Sequence, residues 1–208
     1  MALLNGPPQP AGAEGGSLSL RSQAGPSGSA ALKRLRLLLW LGFCLLCIGN
    51  LSAQVLKEYD LKAVFLYNFA QFVEWPAEAF PSSASPLVIG VLGQDHFGKS
   101  FDDLIQGETT SRRKIKIERS RRFTDLQNCH ILFIDQSESA NVDEILRKCR
   151  GKPILTVSDI DGFSHRGGII QFITDEKEKK IRLRIHVSAA KEAHLAISSK
   201  LLKLAQIE

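Results

Sequence analysis

Residues Gly93 to Ser100 read GQDHFGKS, which satisfies the G-x-x-x-x-G-K-[ST] spacing of a phosphate-binding loop. The segment follows the apolar run LVIGVL and opens a helical pattern. In that context backbone amides can cradle phosphate groups. Gly93 and Gly98 would make the tight turn, Lys99 would reach the phosphates and Ser100 would hold magnesium. Asp135, at the end of HILFID, would be the metal-positioning carboxylate. The loop interior opposes this chemistry. Asp95 sets an anion beside the would-be phosphates, and His96 and Phe97 fill positions where a cradle needs small side chains. The competing reading is an ordinary strand-to-helix turn with Lys99 in solvent.

Other reactive arrangements are weaker. There is no Gly-x-Ser-x-Gly nucleophile elbow and no His-Glu-x-x-His zinc helix, and the five histidines show no metal-ligand spacing. DIDG, Asp159 to Gly162, lacks the later ligands of a calcium loop. No catalytic residue, metal or cofactor is therefore expected. Two polar segments remain as contact surfaces. The first is the basic stretch from Arg112 to Arg122, with Arg119, Arg121 and Arg122 at its end. The second is the loop from Asp159 to Arg166, with Asp159, Asp161, His165 and Arg166. That loop leaves an apolar strand, where α/β domains place binding groups. The plainer alternatives are a solvated edge strand and a surface turn.

The chain carries 27 Lys+Arg against 22 Asp+Glu over 208 residues, a net charge of +5. Most of the excess lies before residue 54, where Arg21, Lys33, Arg34 and Arg36 face only Glu14. The remainder is nearly balanced, which argues against nucleic acid as a partner. Residues 1–31, rich in Gly, Ser, Pro and Ala, form a low-complexity extension that cannot bury enough surface to order itself. Residues 32–53 then hold KRLR, the apolar run LLLWLGFCLLCI and the small-residue site Leu51-Ser52-Ala53. This is the layout of a cleaved export signal. The apolar run is too short for a stable membrane span; a retained anchor or a buried helix are the alternatives. Residues 54–208 form the folded domain, placed in the periplasm.

Within it, Val55 to Trp75 predicts a helix apolar on most sides, stopped by Pro76. Leu87–Leu92, Cys129–Ile134 and Ile154–Val157 read as interior parallel strands, and Lys114–Glu118 as a more exposed one. Phe97–Ile105 and Ser139–Lys148 read as helices. Ile169–Ile173 and Ile181–Val187 predict a hairpin around Asp175-Glu176-Lys177, followed by a helix capped by Ser188 with Ile197, Leu201 and Leu204 on one stripe. The expected fold is a three-layer-like α/β domain, its sheet mixed but mostly parallel, with a C-terminal β-hairpin plus helix.

Taken in order, LKAVFLYNFAQFVEWP, the strand ending at Gly93 with Phe97-Gly98, CHILFI, PILTVSD, GGIIQF and SSKLLKLA resemble the YfiR family of small exported bacterial domains. The resemblance spans Leu61 to Ala205. It implies a non-enzymatic regulator rather than a catalyst. Such a protein is a periplasmic inhibitor that binds the periplasmic part of a YfiN-like membrane-bound diguanylate cyclase, restrains cyclic di-GMP synthesis and responds to envelope stress and redox state. Other relatives stand beside other sensors, so the implied partner is a membrane-bound cyclase or sensor. An exported binder of another protein or of a small ligand is the alternative. A homodimer is expected, with Leu61, Val64, Phe65, Phe69 and Phe72 of the first helix as its interface. Inhibitor-type relatives carry two disulfides; residues 54–208 hold only Cys129 and Cys149. In a strand–helix–strand unit these two fall at the same end of the sheet, which permits one bridge. Two separately buried thiols are the alternative.

Overall fold

The computed structural model describes residues 58–111, 113–175 and 180–208. The expected extension (1–31) and export signal (32–53) lie outside these residues, as do Arg112 and residues 176–179, where the turn of the hairpin is expected. In chain order the elements begin with α1 (58–72), β1 (Val73–Glu74), β2 (Leu87–Leu92), α2 (Gly98–Ile105), β3 (Thr109–Thr110) and β4 (Arg113–Ser120). There follow β5 (Ile131–Ile134), α3 (Val142–Cys149), β6 (Leu155–Ser158), β7 (Ile170–Asp175) and β8 (Lys180–Ile185). The chain closes with α4 (Val187–Glu192), β9 (Ala196–Ile197), α5 (Ser199–Leu202) and β10 (Ala205–Ile207).

Eight strands form one sheet in the order β10-β8-β7-β6-β5-β2-β4-β3. β4, β2, β5, β6 and β7 run parallel, β8 and β3 pair antiparallel with their neighbours, and β10 runs parallel to β8. The domain is therefore α/β with a mixed, mostly parallel sheet, as the alternation of apolar runs predicts. β5 shows why its strands are apolar throughout. Ile131 and Phe133 enter the core on one face, Leu132 and Ile134 the core on the other, and all four are fully buried. The first face is covered by α1, α2, α4 and α5 through residues such as Leu66, Phe69, Phe101 and Leu201. The second is covered by α3 through Val142, Ile145 and Leu146, with Phe163 of the loop after β6 beside them.

Two expectations are corrected. The first helix ends at residue 72 rather than 75, because Val73 and Glu74 turn extended and pair with Ile197 and Ala196. The expected final helix is broken. His194 adopts a left-handed backbone (φ 56) just after α4, and the chain then runs extended through β9. The capping serine is Ser198, whose hydroxyl accepts from Leu201 N–H; Ser188 lies inside α4. Ile197, Leu201 and Leu204 consequently share no stripe: Leu201 is buried and Leu204 is 73% exposed.

Candidate functional site

Counted among themselves, the five parallel strands β2, β4, β5, β6 and β7 lie in the order 2-1-3-4-5. This doubly wound order has its switch point between β2 and β5, where the chain leaves the two neighbouring strands toward opposite faces of the sheet. Folds of this kind bind ligands in the crevice at the carboxyl ends of those strands. Here the crevice is formed by Gly93 after β2, Asp135 after β5 and Asp159 after β6.

α1 closes it. Tyr59, Lys62, Ala63, Leu66, Phe69, Ala70 and Val73 mark the buried stripe of this helix and its continuation, at helical spacing. Lys62 occupies an apolar position of that stripe, and its side chain is only 2% exposed. Its ammonium bonds Asp159 Oδ2 at 2.6 Å and Glu58 Oε1 at 2.8 Å, and lies 4.4 Å from the centre of the Tyr59 ring. The Tyr59 hydroxyl stands between Asp135 Oδ2 (3.3 Å) and Asp159 Oδ2 (3.2 Å). Burial, and then the two carboxylates, push this phenol far above its usual range. It stays a neutral donor with one hydrogen for two acceptors. Asp159 Oδ1 is buried without a hydrogen-bond partner among the described residues. Asp135 Oδ1 accepts from Ser137 N–H, and His96 Nε2 lies 3.7 Å from Asp135 Oδ2 with its ring against Tyr59. Most of the polar capacity of the crevice is therefore spent inside the protein, around one ammonium.

The residues proposed for a phosphate loop do not converge. Gly93 (φ 100) and Asp135 do sit together at the switch point, where a side chain at position 93 would strike Ser137. Lys99, however, reaches along its own helix to Asp103 at 2.8 Å and is 85% exposed. Ser100 Oγ donates to Asp60 and to the Phe97 carbonyl, Gly98 starts α2, and Asp95 holds Phe97 N–H and Arg119.

Three of the described basic residues of the stretch are paired with carboxylates. Arg119 binds Asp95 at 2.7 Å and Asp102 at 2.9 Å, Arg122 binds Asp125, and Lys116 binds Glu118. Arg121 is exposed and has no ion pair among the described residues; it borders clefts at Gly93, Gln94, Ser137 and Glu138. In the loop, Asp159 belongs to the buried cluster and Arg166 binds Asp143 at 2.6 Å. Asp161 is exposed, and His165, 63% exposed, touches Glu208. On α1, Leu61 (43%) and Val64 (39%) face solvent, while Phe65 and Phe72 are half-buried. Phe69 is fully buried against Phe172 and belongs to the core, which corrects its place in an interface. Cys129 and Cys149 are free, buried thiols in the same apolar cluster on the α3 face. Burial pushes Cys149 up to about 12 and Cys129 further.

Sequence reasoning missed Tyr59, Lys62, Glu58 and His96 as partners of Asp135 and Asp159. The available signal was a lysine on the apolar stripe of a helix, a position that requires a buried counter-charge. Its identity was hidden, because Asp159 lies 97 residues further along the chain.

A family model described as DUF4154, YfiR/HmsC-like, matches residues 59–206. Among solved structures, the crystal structure of a conserved domain protein from Vibrio cholerae O1 biovar eltor is similar at 13% identity with a TM-score of 0.40. That match covers 58% of this chain and 54% of the other. No curated protein matches.

Proposed function

The chain belongs to the YfiR/HmsC-like family, and from that premise we propose that it restrains a membrane-bound diguanylate cyclase or sensor by binding its periplasmic part. At the coarser level it is a periplasmic regulatory protein without catalysis, as members of the family are. One observation carries the binding-module reading on physical grounds. The switch-point crevice, where a doubly wound enzyme would hold its substrate, is stoppered by Tyr59 and Lys62 of α1. What remains available is the rim of that stopper. Arg121, which borders the cleft at Gly93, Asp161, two residues beyond Asp159, and Leu61 and Val64 of α1 are all exposed, and their mixed polarity suits a protein partner.

The test is cyclase activity in inner-membrane vesicles containing the cognate membrane protein, titrated with the purified regulator. Wild type lowers cyclic di-GMP synthesis. Arg121→Glu and Asp161→Arg each raise the half-inhibiting concentration about tenfold, within the cost range of charges at an interface, while circular dichroism melts stay unchanged. Full inhibition by both variants would move the contact off this rim; no inhibition by wild type would end the reading.

One observation favours small-ligand binding as a second reading. A cleft of about 350 Å³ opens between the end of α1 and β3–β4, lined by Val73, Trp75, Phe80, Leu87, Thr110 and Arg113. Its size, and a lining that joins Trp75 and Phe80 to the polar Glu74, Thr110 and Arg113, suit a small organic molecule with a polar group.

A further inference from the structure

The last turn of α3 and the turn that follows it read RKCRGK, from Arg147 to Lys152, and no acidic residue occurs between Glu144 and Asp159. Arg147 and Lys148 favour the negative end of the helix dipole, and Lys148 is also held by Glu144 at 2.7 Å. Arg150 and Lys152 lie beyond the helix, where that explanation ends. Their backbones are fixed in a tight turn: Arg150 N–H donates to the Leu146 carbonyl and Lys152 N–H to the Cys149 carbonyl, both at 3.0 Å. Arg147, Arg150 and Lys152 are exposed and form no ion pair among the described residues. Glu192 of α4 borders one cleft with Arg150 without pairing to it.

The turn projects into solvent. Gly151, at φ 70, has no atom within 4 Å of the place where a side chain would begin. The cluster is thus a convex basic knob, and it carries no exposed large apolar residue. Those among the described residues are Leu61, Val64, Leu204 and Ile207. Leu61 and Val64 belong to α1, which covers the other face of the sheet. A protein interface centres on a packed aromatic or apolar anchor and keeps its charges toward the rim. Charge without an anchor suits a flat, fluid surface of many anions, which is what a layer of anionic lipid headgroups offers. The position agrees. The knob precedes β6, at the amino ends of the parallel strands, whereas Arg121 and Asp161 follow the carboxyl ends of β4 and β6. A membrane against the knob leaves both of them exposed.

We infer that Arg147, Arg150 and Lys152 dock this protein on a membrane surface bearing anionic phospholipids. Lys148 adds less, because Glu144 already holds it. The attachment is weak, reversible and screened by salt, since each exposed cation near such a surface contributes only about fivefold in binding. It keeps the regulator within reach of membrane-bound proteins, and it is independent of which of them the regulator meets.

The experiment is cosedimentation with vesicles of phosphatidylcholine containing about 30% phosphatidylglycerol, at about 50 mM salt. The protein is expressed as the full chain and recovered from the periplasm. Wild type binds these vesicles and not pure phosphatidylcholine, and about 500 mM salt releases it. Arg147→Gln, Arg150→Gln and Lys152→Gln together weaken binding about a hundredfold. Lys99→Gln, Lys200→Gln and Lys203→Gln together remove as much charge from exposed residues elsewhere, and stay within about threefold of wild type. Circular dichroism confirms that both triple variants fold. Wild type that ignores the anionic vesicles overturns the inference. So does equal weakening in the two triple variants, which would leave net charge as the cause. If wild type ignores the vesicles but the first triple variant loses cyclase inhibition, the knob meets an acidic protein instead, and the inference falls. The vesicles contain no cyclase, so failure here is separable from failure of the proposed function.

Discussion

Lys62 and His130 are buried groups with opposite electrostatic problems. Lys62 keeps its charge by gathering Glu58, Asp159 and the Tyr59 face around it. Removing the ammonium in Lys62→Met leaves the Asp159 carboxylate buried with only the Tyr59 hydroxyl, and is expected to destabilise the fold by about 3–5 kcal/mol in urea titrations. Combining it with Asp159→Leu should recover part of that loss, because the orphaned charge is gone. A Lys62→Met cost below about 1 kcal/mol would mean that the cluster is not a buried ion pair in solution. His130 solves its problem by staying neutral. Its Nδ1 accepts from Val88 N–H at 3.1 Å, its Nε2 faces the Ala79 carbonyl at 3.2 Å, and its ring stacks on Phe80. Burial, with Arg113 nearby, lowers its pKa below 6.5. The unfolded chain then binds the proton that the folded chain refuses, so stability from this residue is complete above pH 6.5 and is lost as the pH falls. Urea midpoints should drop between pH 7.5 and 5.5, and His130→Gln should drop less steeply. Equal slopes would reject the assignment.

At the scale of elements, α1 decides how the carboxyl end of the sheet is closed, and it does so from one stripe. Leu66 and Phe69 are fully buried and Leu61 is 43% exposed on the same helix. Phe69 touches Phe65 and Phe172, at ring separations of 6.2 and 6.0 Å. Phe69→Ala should therefore cost about 3–5 kcal/mol through lost transfer energy and a cavity. Leu61→Ala should stay within about 0.5 kcal/mol. Chemical denaturation of the two variants checks the contrast, and comparable losses would place Leu61 under a cover formed outside residues 58–208. The loop after β6 is anchored in a similar way. Phe163 is fully buried and lies where any side chain at Gly168 would stand, so the second glycine of GGIIQF is a packing requirement, whereas Gly167 serves its left-handed backbone (φ 98).

For the whole molecule, export and covalent state go together. We propose that the periplasmic protein begins at Gln54 and that Cys129 and Cys149, which share one apolar cluster, bridge as the chain folds in an oxidising compartment. The neutral, desolvated thiols of the folded protein would react slowly, so the bridge must precede burial. Intact mass and nonreducing peptide mapping of periplasmic material measure both at once. A mature chain retaining residues 32–53, or two alkylatable thiols after denaturation, would reject the corresponding half.

The sequence by itself determined the interior strands and the α/β class, but not the short β1, β3, β9 and β10. Short all-apolar, β-branched runs such as ILFI and LVIG, bounded by turn residues, favour interior strands of a sheet covered on both faces, and this information is local. It also carried the family resemblance, block by block. Short-range signals were less decisive at α4–β9–α5, where a helical pattern of apolar residues lost to the left-handed turn at His194 and to pairing with β1. Only the tertiary structure decided the site. Tyr59 and Asp135 are 76 residues apart, Lys62 and Asp159 are 97 apart, and nothing in the spacing of either pair is periodic. The 2-1-3-4-5 strand order brings Asp135 and Asp159 to one end of the sheet, and the packing of α1 across one face delivers Lys62 to them. A buried charge must find its counter-charge in space, and the chain can bring that partner from any distance.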